Sequence, residues 1–208
     1  MQSMTTHRSL KEKQRQEREA LILQVAEEVL AERGYYETSM DEIAARVGVA
    51  KGTVYLHFPS KEDLVVAILT RDLQKLLQAI ETIIATDLTP YAKMESILQF
   101  IYGEFFSKRA QWFSAIHTSR ETQQLFLEKK ACMRDIWEQL SARMTSLLEE
   151  GKAAGQFDPT IPTAVMLEAL FSLMSPRSYN RLIVSGQMAP EELARHLGQI
   201  YFKGISKI

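Results

Sequence analysis

Residues Thr38 to Lys61 read TSMDEIAARVGVAKGTVYLHFPSK, and the rest of the chain is organised around them. Ser39 followed by Glu42 is an S-x-x-E capping box, which places a helix start at Met40. Ile43, Ala44 and Val47 give that helix one apolar edge. Gly48 stops it, because glycine takes the left-handed conformation at little cost. A second short helix runs from Lys51 to about Phe58, before Pro59. Two short helices joined by so tight a turn predict a helix-turn-helix.

The spacing within the motif sorts its side chains. Ala44 falls where the two helices cross, with room for only a small side chain, and Val49 and Val54 supply the apolar wedge between them. That leaves Lys51, Thr53, Tyr55, Leu56 and His57 for the outer face, where a recognition helix meets the major groove. Thr38, Ser39, Gly52 and Lys61 complete the candidate DNA-binding set. Tyr55 has two readings, a hydroxyl for phosphate or a packed ring, and His57 is either a phosphate donor or a plain surface histidine. Other pairs of short helices separated by glycine share this spacing.

The longer run from Gly34 to Leu64, GYYETSMDEIAARVGVAKGTVYLHFPSKEDL, resembles the DNA-binding domain of the TetR family of bacterial repressors. The string G-V-x-K-G-x-x-Y-x-H-F carries the resemblance, which covers about the first 65 to 70 residues. The remainder is similar only in helix count and layout. The resemblance implies a homodimer on a palindromic operator, a small-molecule effector in the C-terminal part, and a donor role for His57. One position departs from the pattern. Ala50 stands where the family commonly has serine, so the hydroxyl that would cap the recognition helix is missing, at a cost of about 1 kcal/mol.

Composition sets the outer limits. The chain has 208 residues, 46% hydrophobic and 25% charged, as in an ordinary soluble globular protein. A single cysteine, Cys132, excludes an intramolecular disulfide and fits a reducing cytosol. No apolar run is long enough for a membrane span, and the basic N-terminus has no apolar segment behind it, so neither membrane insertion nor secretion is expected. The expected location is the bacterial cytoplasm, on the nucleoid. A formal net charge of −1 is unusual for a dedicated nucleic-acid binder. Only the first 18 residues lean basic, with Arg8, Lys11, Lys13, Arg15 and Arg18 against Glu12 and Glu17. Few phosphate contacts are therefore expected, with binding that depends on shape and on dimerisation.

Taken in order, the chain predicts an all-α protein of about nine helices, in four parts: an arm over 1–8, a helix-turn-helix domain over 9–60, a connecting helix over 61–86, and a ligand-binding and dimerisation domain over 87–208. Ser9 with Glu12 caps a first helix from Leu10 to Arg33, and Tyr35 and Tyr36 after it pack the turn into the small core. The KEKQRQERE segment is either a basic tail for phosphates and the minor groove or a solvated extension. Ser60 with Asp63 caps the connecting helix, whose apolar stripe runs from Leu64 to Ile84. Pro90 opens a helix that continues through Phe106. A short helix covers Ala110 to His117, and a long one Glu121 to Lys152, with Gly151 and Gly155 fraying its end. The next starts at Pro162 and Thr163, breaks or kinks at Pro176, and ends by Gly186; Pro190 opens the last, which fades after Gly204.

Two further sites follow from the C-terminal part. Tyr102, Phe105, Trp112, Phe113, His117, Met133, Trp137, Met166, Leu170 and Met174 are core side chains that together can line an apolar ligand pocket. Arg120 either anchors a ligand carboxylate or pairs with a surface acid. Met166, Leu173, Leu182, Leu193, Leu197, Ile200 and Tyr201, on the last two helices, form the expected dimer face, as the resemblance implies. No catalytic constellation is visible. His7, His57, His117 and His196 are scattered, no glycine-rich phosphate loop occurs, and Cys132 sits on an apolar stripe, so no cofactor and no metal are expected. The reading is a transcriptional regulator that binds double-stranded DNA as a homodimer. A helical protein-binding adaptor and a small-molecule enzyme on the same fold are the alternatives.

Overall fold

The structure is a computed structural model that describes residues 2–106, 131–174, 180–184 and 186–206. The helix expected over Ala110–His117, the residues Trp112, Phe113, His117 and Arg120, the start of the long helix at Glu121 and the break at Pro176 lie outside the described residues, as does the side chain of Cys132. Among the described residues the protein is all-α, and the single extended pairing is an isolated antiparallel bridge between Phe157 and Ser206. The chain divides into two compact units, Met1–Leu69 and Thr70–Ile208. The division falls inside one helix.

The first unit is built from α1 (Gln2–Glu37), α2 (Met40–Val47), α3 (Lys51–His57) and the start of α4 (Lys61–Ile84). Helix α1 begins at Gln2, so the arm expected over 1–8 is helical. The sequence before Gly34 contains no glycine or proline, and Lys, Glu, Gln and Arg are good helix formers. From Leu10 to Arg18 every side chain is exposed, and burial starts at Ile22. Gly34 interrupts the helix with φ 79° and ψ 175°. Ile22, Ala26, Val29 and Leu30 of α1 form the core with Met40, Ile43 and Ala44 of α2, Val54 of α3, Phe58, and Leu64, Val65 and Ile68 of α4. Tyr35 is buried as expected, but Tyr36 points outward and meets Tyr35 edge-on at 5.5 Å.

Helix α4 has 24 residues and spans about 36 Å at 1.5 Å per residue. It then enters the second unit, which also holds α5 (Pro90–Phe100), a π-helical turn (Ile101–Phe105), α6 (Ala131–Ala153), α7 (Thr163–Leu173), a second π turn (Asn180–Val184) and α8 (Pro190–Ile205). The uninterrupted α-helix expected from Pro90 through Phe106 widens at Ile101, where the Phe106 N–H reaches back to the Ile101 carbonyl at 2.9 Å. Gly103, a weak helix former, is the middle residue of that turn.

Met94, Ile97, Leu98, Ile136, Leu140, Met144, Leu147, Met166, Leu170, Leu193 and Phe202 form the interior of this unit. Gly151, expected from its sequence position to fray α6, does not do so, since the helix continues to Ala153. It lies buried within the helix, because Phe157 folds back onto it so closely that a Cβ at 151 would stand 2.2 Å from the ring. Gly155, with φ 71°, makes the turn that brings Phe157 there. Helix α7 ends at Leu173, with the Met174 N–H donating to the Leu170 carbonyl at 3.0 Å.

Candidate nucleic-acid interface

The α2–α3 pair is assembled by local chemistry at each end. The Ser39 hydroxyl accepts from the Glu42 N–H at 3.2 Å, satisfying a donor that α2 leaves unpaired. At the other end Gly48, with φ 76°, donates to the Ala44 and Ala45 carbonyls, and the Val49 N–H also reaches Ala44. These bonds end α2 in a left-handed cap and send the chain straight into α3. Ala50 occupies the N-cap of α3 with no side-chain bond, so its carbonyl, accepting from Thr53 N–H at 2.8 Å, holds the first turn by itself.

Helix α3 presents a mixed outer surface. Val54 is fully buried against the unit's core. Lys51, Gly52, Tyr55 and Leu56 are exposed and Thr53 is half-buried. Lys51 Nζ pairs with the Asp41 carboxylate at 2.7 Å and stands 5.7 Å from the centre of the Tyr55 ring. The hydrogen bond that Lys51 donates to Asp41, with the coulombic attraction of that carboxylate, raises the Lys51 pKa and keeps it charged. Tyr55 thus keeps one face under Lys51 and the rest open.

Three residues expected among the DNA contacts are placed elsewhere. The His57 side chain is only 7% exposed, with Nδ1 3.6 Å from the Glu19 carboxylate and no hydrogen-bond partner. It follows Val54 by three residues, so it shares the inward side of α3 rather than the outer one. Thr38 is 3% exposed and its hydroxyl donates to the Gly34 carbonyl at 2.7 Å, bridging the kink in α1. Lys61 Nζ donates to the Tyr35 and Thr38 carbonyls at 2.8 and 3.0 Å and lies 4.4 Å over the Tyr35 ring. Burial, the largest cause, lowers its pKa. Ser39 is exposed but occupied as the cap of α2.

An ionic lattice missed in the sequence joins α1 to α2. Arg46 pairs with Glu32 at 2.7 Å and Glu42 at 3.0 Å, and Arg33 also reaches Glu42 at 3.0 Å. These are surface pairs, with Glu42 half-buried among them, and each is worth little individually. Their effect on the interface is to occupy two arginines with acids. The i,i+4 spacing of Glu42 and Arg46 is readable in the sequence, but Glu32–Arg46 and Arg33–Glu42 are brought together only by the fold.

In the second unit the candidate pocket residues separate. Tyr102, Phe105, Met133, Met166 and Leu170 are buried, and Met174 is half-buried at the end of α7. Trp137 is 45% exposed and meets Phe171 edge-on at 6.0 Å, because it sits one residue past Ile136, at the margin of the buried edge of α6. The Tyr102 hydroxyl donates to the Leu173 carbonyl, one of those that the end of α7 leaves open. Of the expected dimer residues, Met166, Leu193 and Tyr201 are buried within this chain, the Tyr201 hydroxyl donating to the Met166 carbonyl at 2.9 Å. Leu173, Leu182 and Leu197 are half-buried, and Ile200 is 64% exposed. Among the described residues no cluster of three metal-ligating side chains occurs, and no helix is long and apolar enough to cross a membrane.

Comparison with known proteins agrees with this arrangement. Residues 22–68, spanning the end of α1 through the start of α4, match the family model of bacterial regulatory proteins, tetR family. The fatty acid metabolism regulator protein of Bacillus subtilis (strain 168) is 28% identical over 193 residues, covering 84% of this chain and 97% of that protein. Two solved structures show the same fold. The fatty acid degradation regulator FadR from Bacillus halodurans superposes with a TM-score of 0.75 at 20% identity, over 90% of this chain and 95% of that one. FadR from Bacillus subtilis, in complex with stearoyl-CoA, superposes with a TM-score of 0.67 at 21% identity, over 89% and 98%. With its capped α2, glycine turn and outward α3, residues 22–68 form a DNA-binding domain of the tetR family of bacterial regulatory proteins, and the chain is a DNA-binding transcriptional regulator.

Proposed function

We propose that the chain is a homodimeric repressor, held on a palindromic operator by α3 and released by a ligand with a long apolar chain, of the acyl-CoA class. The observation that carries the DNA part is the outer edge of α3, where Lys51, Gly52, Tyr55 and Leu56 stand exposed above a buried Val54. One seven-residue helix with few free cations gives little affinity, so a two-fold pair of such helices reading successive major grooves supports useful binding. Val165 and Ile200 support the dimer. Each precedes by one residue a partner in the Tyr201–Met166 hydrogen bond, and both are exposed.

The ligand class rests on the relatives, one named as a fatty acid metabolism regulator and one solved with stearoyl-CoA. The aromatic and methionine content around α5 and the π turn suits an apolar chain. Release works as a population shift. Ligand favours one setting of α4, which runs from the first unit into the second, and that setting spreads the two copies of α3 beyond the groove spacing.

The test is to select bound fragments from random duplexes and then challenge the complex with CoA, short-chain and long-chain acyl-CoAs in a mobility-shift assay. The proposal expects a palindrome, released by long-chain acyl-CoA and untouched by CoA alone. Retention of DNA under every acyl-CoA removes the ligand class and leaves the operator. Failure to select a palindrome removes the dimeric repressor.

A further inference from the structure

Leu56 has no task inside its own chain. It is 84% exposed, the highest value for a large apolar side chain among the described residues. A single exposed leucine is ordinary on a protein surface. This one stands in the middle of the outer edge of α3. At about 100° per residue it points roughly 160° away from the buried Val54. One turn earlier on the same edge is Gly52, which is helical without a left-handed φ, and a Cβ there would meet nothing within 4 Å. Neither packing nor backbone geometry calls for glycine at 52, and glycine is a weaker helix former than alanine. The requirement lies in what docks on α3: a surface that approaches the backbone at Gly52 and receives the Leu56 side chain.

We propose that Leu56 recognises a thymine through its 5-methyl group, and that Gly52 clears the space for α3 to lie close enough for that contact. This rests on the DNA-binding function and adds the base chemistry of the operator. In the major groove the base edges offer donors and acceptors, and the thymine methyl is the apolar group among them. Leucine packed against a guanine O6 or a cytosine amino group would strip water from a polar atom without replacing its hydrogen bond. Attraction to the methyl and the desolvation cost at G·C therefore act in the same direction. Lys51, beside the Tyr55 ring at 5.7 Å, supplies the charge that holds this edge against the backbone.

The experiment uses the full chain. Duplexes selected from random DNA are resynthesised with deoxyuridine replacing single thymines, which removes the methyl and nothing else. The wild type should lose about fourfold in affinity at one or more positions, the value of one buried methyl. Leu56→Ala should bind the thymine and uracil forms alike while melting as the wild type does. Gly52→Ala should melt no lower than the wild type yet bind every duplex more weakly. Indifference of the wild type to all such replacements overturns the proposal, and so does full methyl sensitivity in Leu56→Ala. A chain that selects no sequence overturns the DNA-binding function and this inference with it, whereas a methyl-blind selected duplex overturns this inference alone.

Discussion

Lys51 and Lys61 flank the recognition helix, and their ammonium groups are committed differently. Lys61 is bonded to two backbone carbonyls and covers the Tyr35 ring, so it closes the corner between α1 and α4. Lys51 has an exposed carboxylate as its partner, which a DNA phosphate can replace. Two substitutions separate the roles. Lys51→Gln should reduce the slope of log affinity against log salt by about one, with little change in melting. Lys61→Met should leave the slope unchanged and cost about 1 kcal/mol of stability by stranding two carbonyls. Thermal melts and DNA titrations at several salt concentrations check both, and a lowered slope in Lys61→Met would mean that its ammonium reaches phosphate. Asp41 belongs to the same account, since Lys51 must leave it to bind DNA.

At the scale of elements, α2 and α3 differ in how they begin. Ser39 caps α2 through its hydroxyl, whereas Ala50 offers α3 no side-chain acceptor although its φ of −63° and ψ of 143° suit a capping residue. Ala50→Ser should therefore stabilise the first unit by about 1 kcal/mol, read as a higher melting temperature. The start and stop of α2 and the missing cap of α3 were legible in the sequence because they depend on residues within one turn. Pro90 and Pro190 at the first turns of α5 and α8 were legible for the same reason. The inward turn of His57 was legible in its three-residue spacing from Val54, whereas its neighbour Glu19, on α1, was not. Thr38 and Lys61 were misplaced because their acceptors are backbone carbonyls, which residue identity does not reveal. Gly151 read as a fraying end because nothing in GKAAGQF says that Phe157 will return to cover it. Local signals thus located the helix-turn-helix, and partners distant in sequence decided which of its side chains stay free.

For the whole molecule, the near balance of charge has a structural counterpart. Arg33, Arg46 and Lys51 all pair with acids of the first unit, so the lysine and arginine of α2 and α3 are already engaged before DNA arrives. Affinity should then depend steeply on pairing two copies. Ile200→Glu, on the exposed side of α8, should give a monomer in sedimentation and weaken operator binding by at least tenfold, about 1.4 kcal/mol. A variant that remains dimeric with full affinity would place the self-association surface elsewhere. Two phenolic hydroxyls, those of Tyr102 and Tyr201, donate to backbone carbonyls of α7. Burial raises both pKa values, so these tethers persist below the ordinary phenol range of about 10 and are lost as pH climbs through the raised values. An alkaline absorbance titration should therefore register these two rings late, at pH values where their bonds to the α7 carbonyls are being lost.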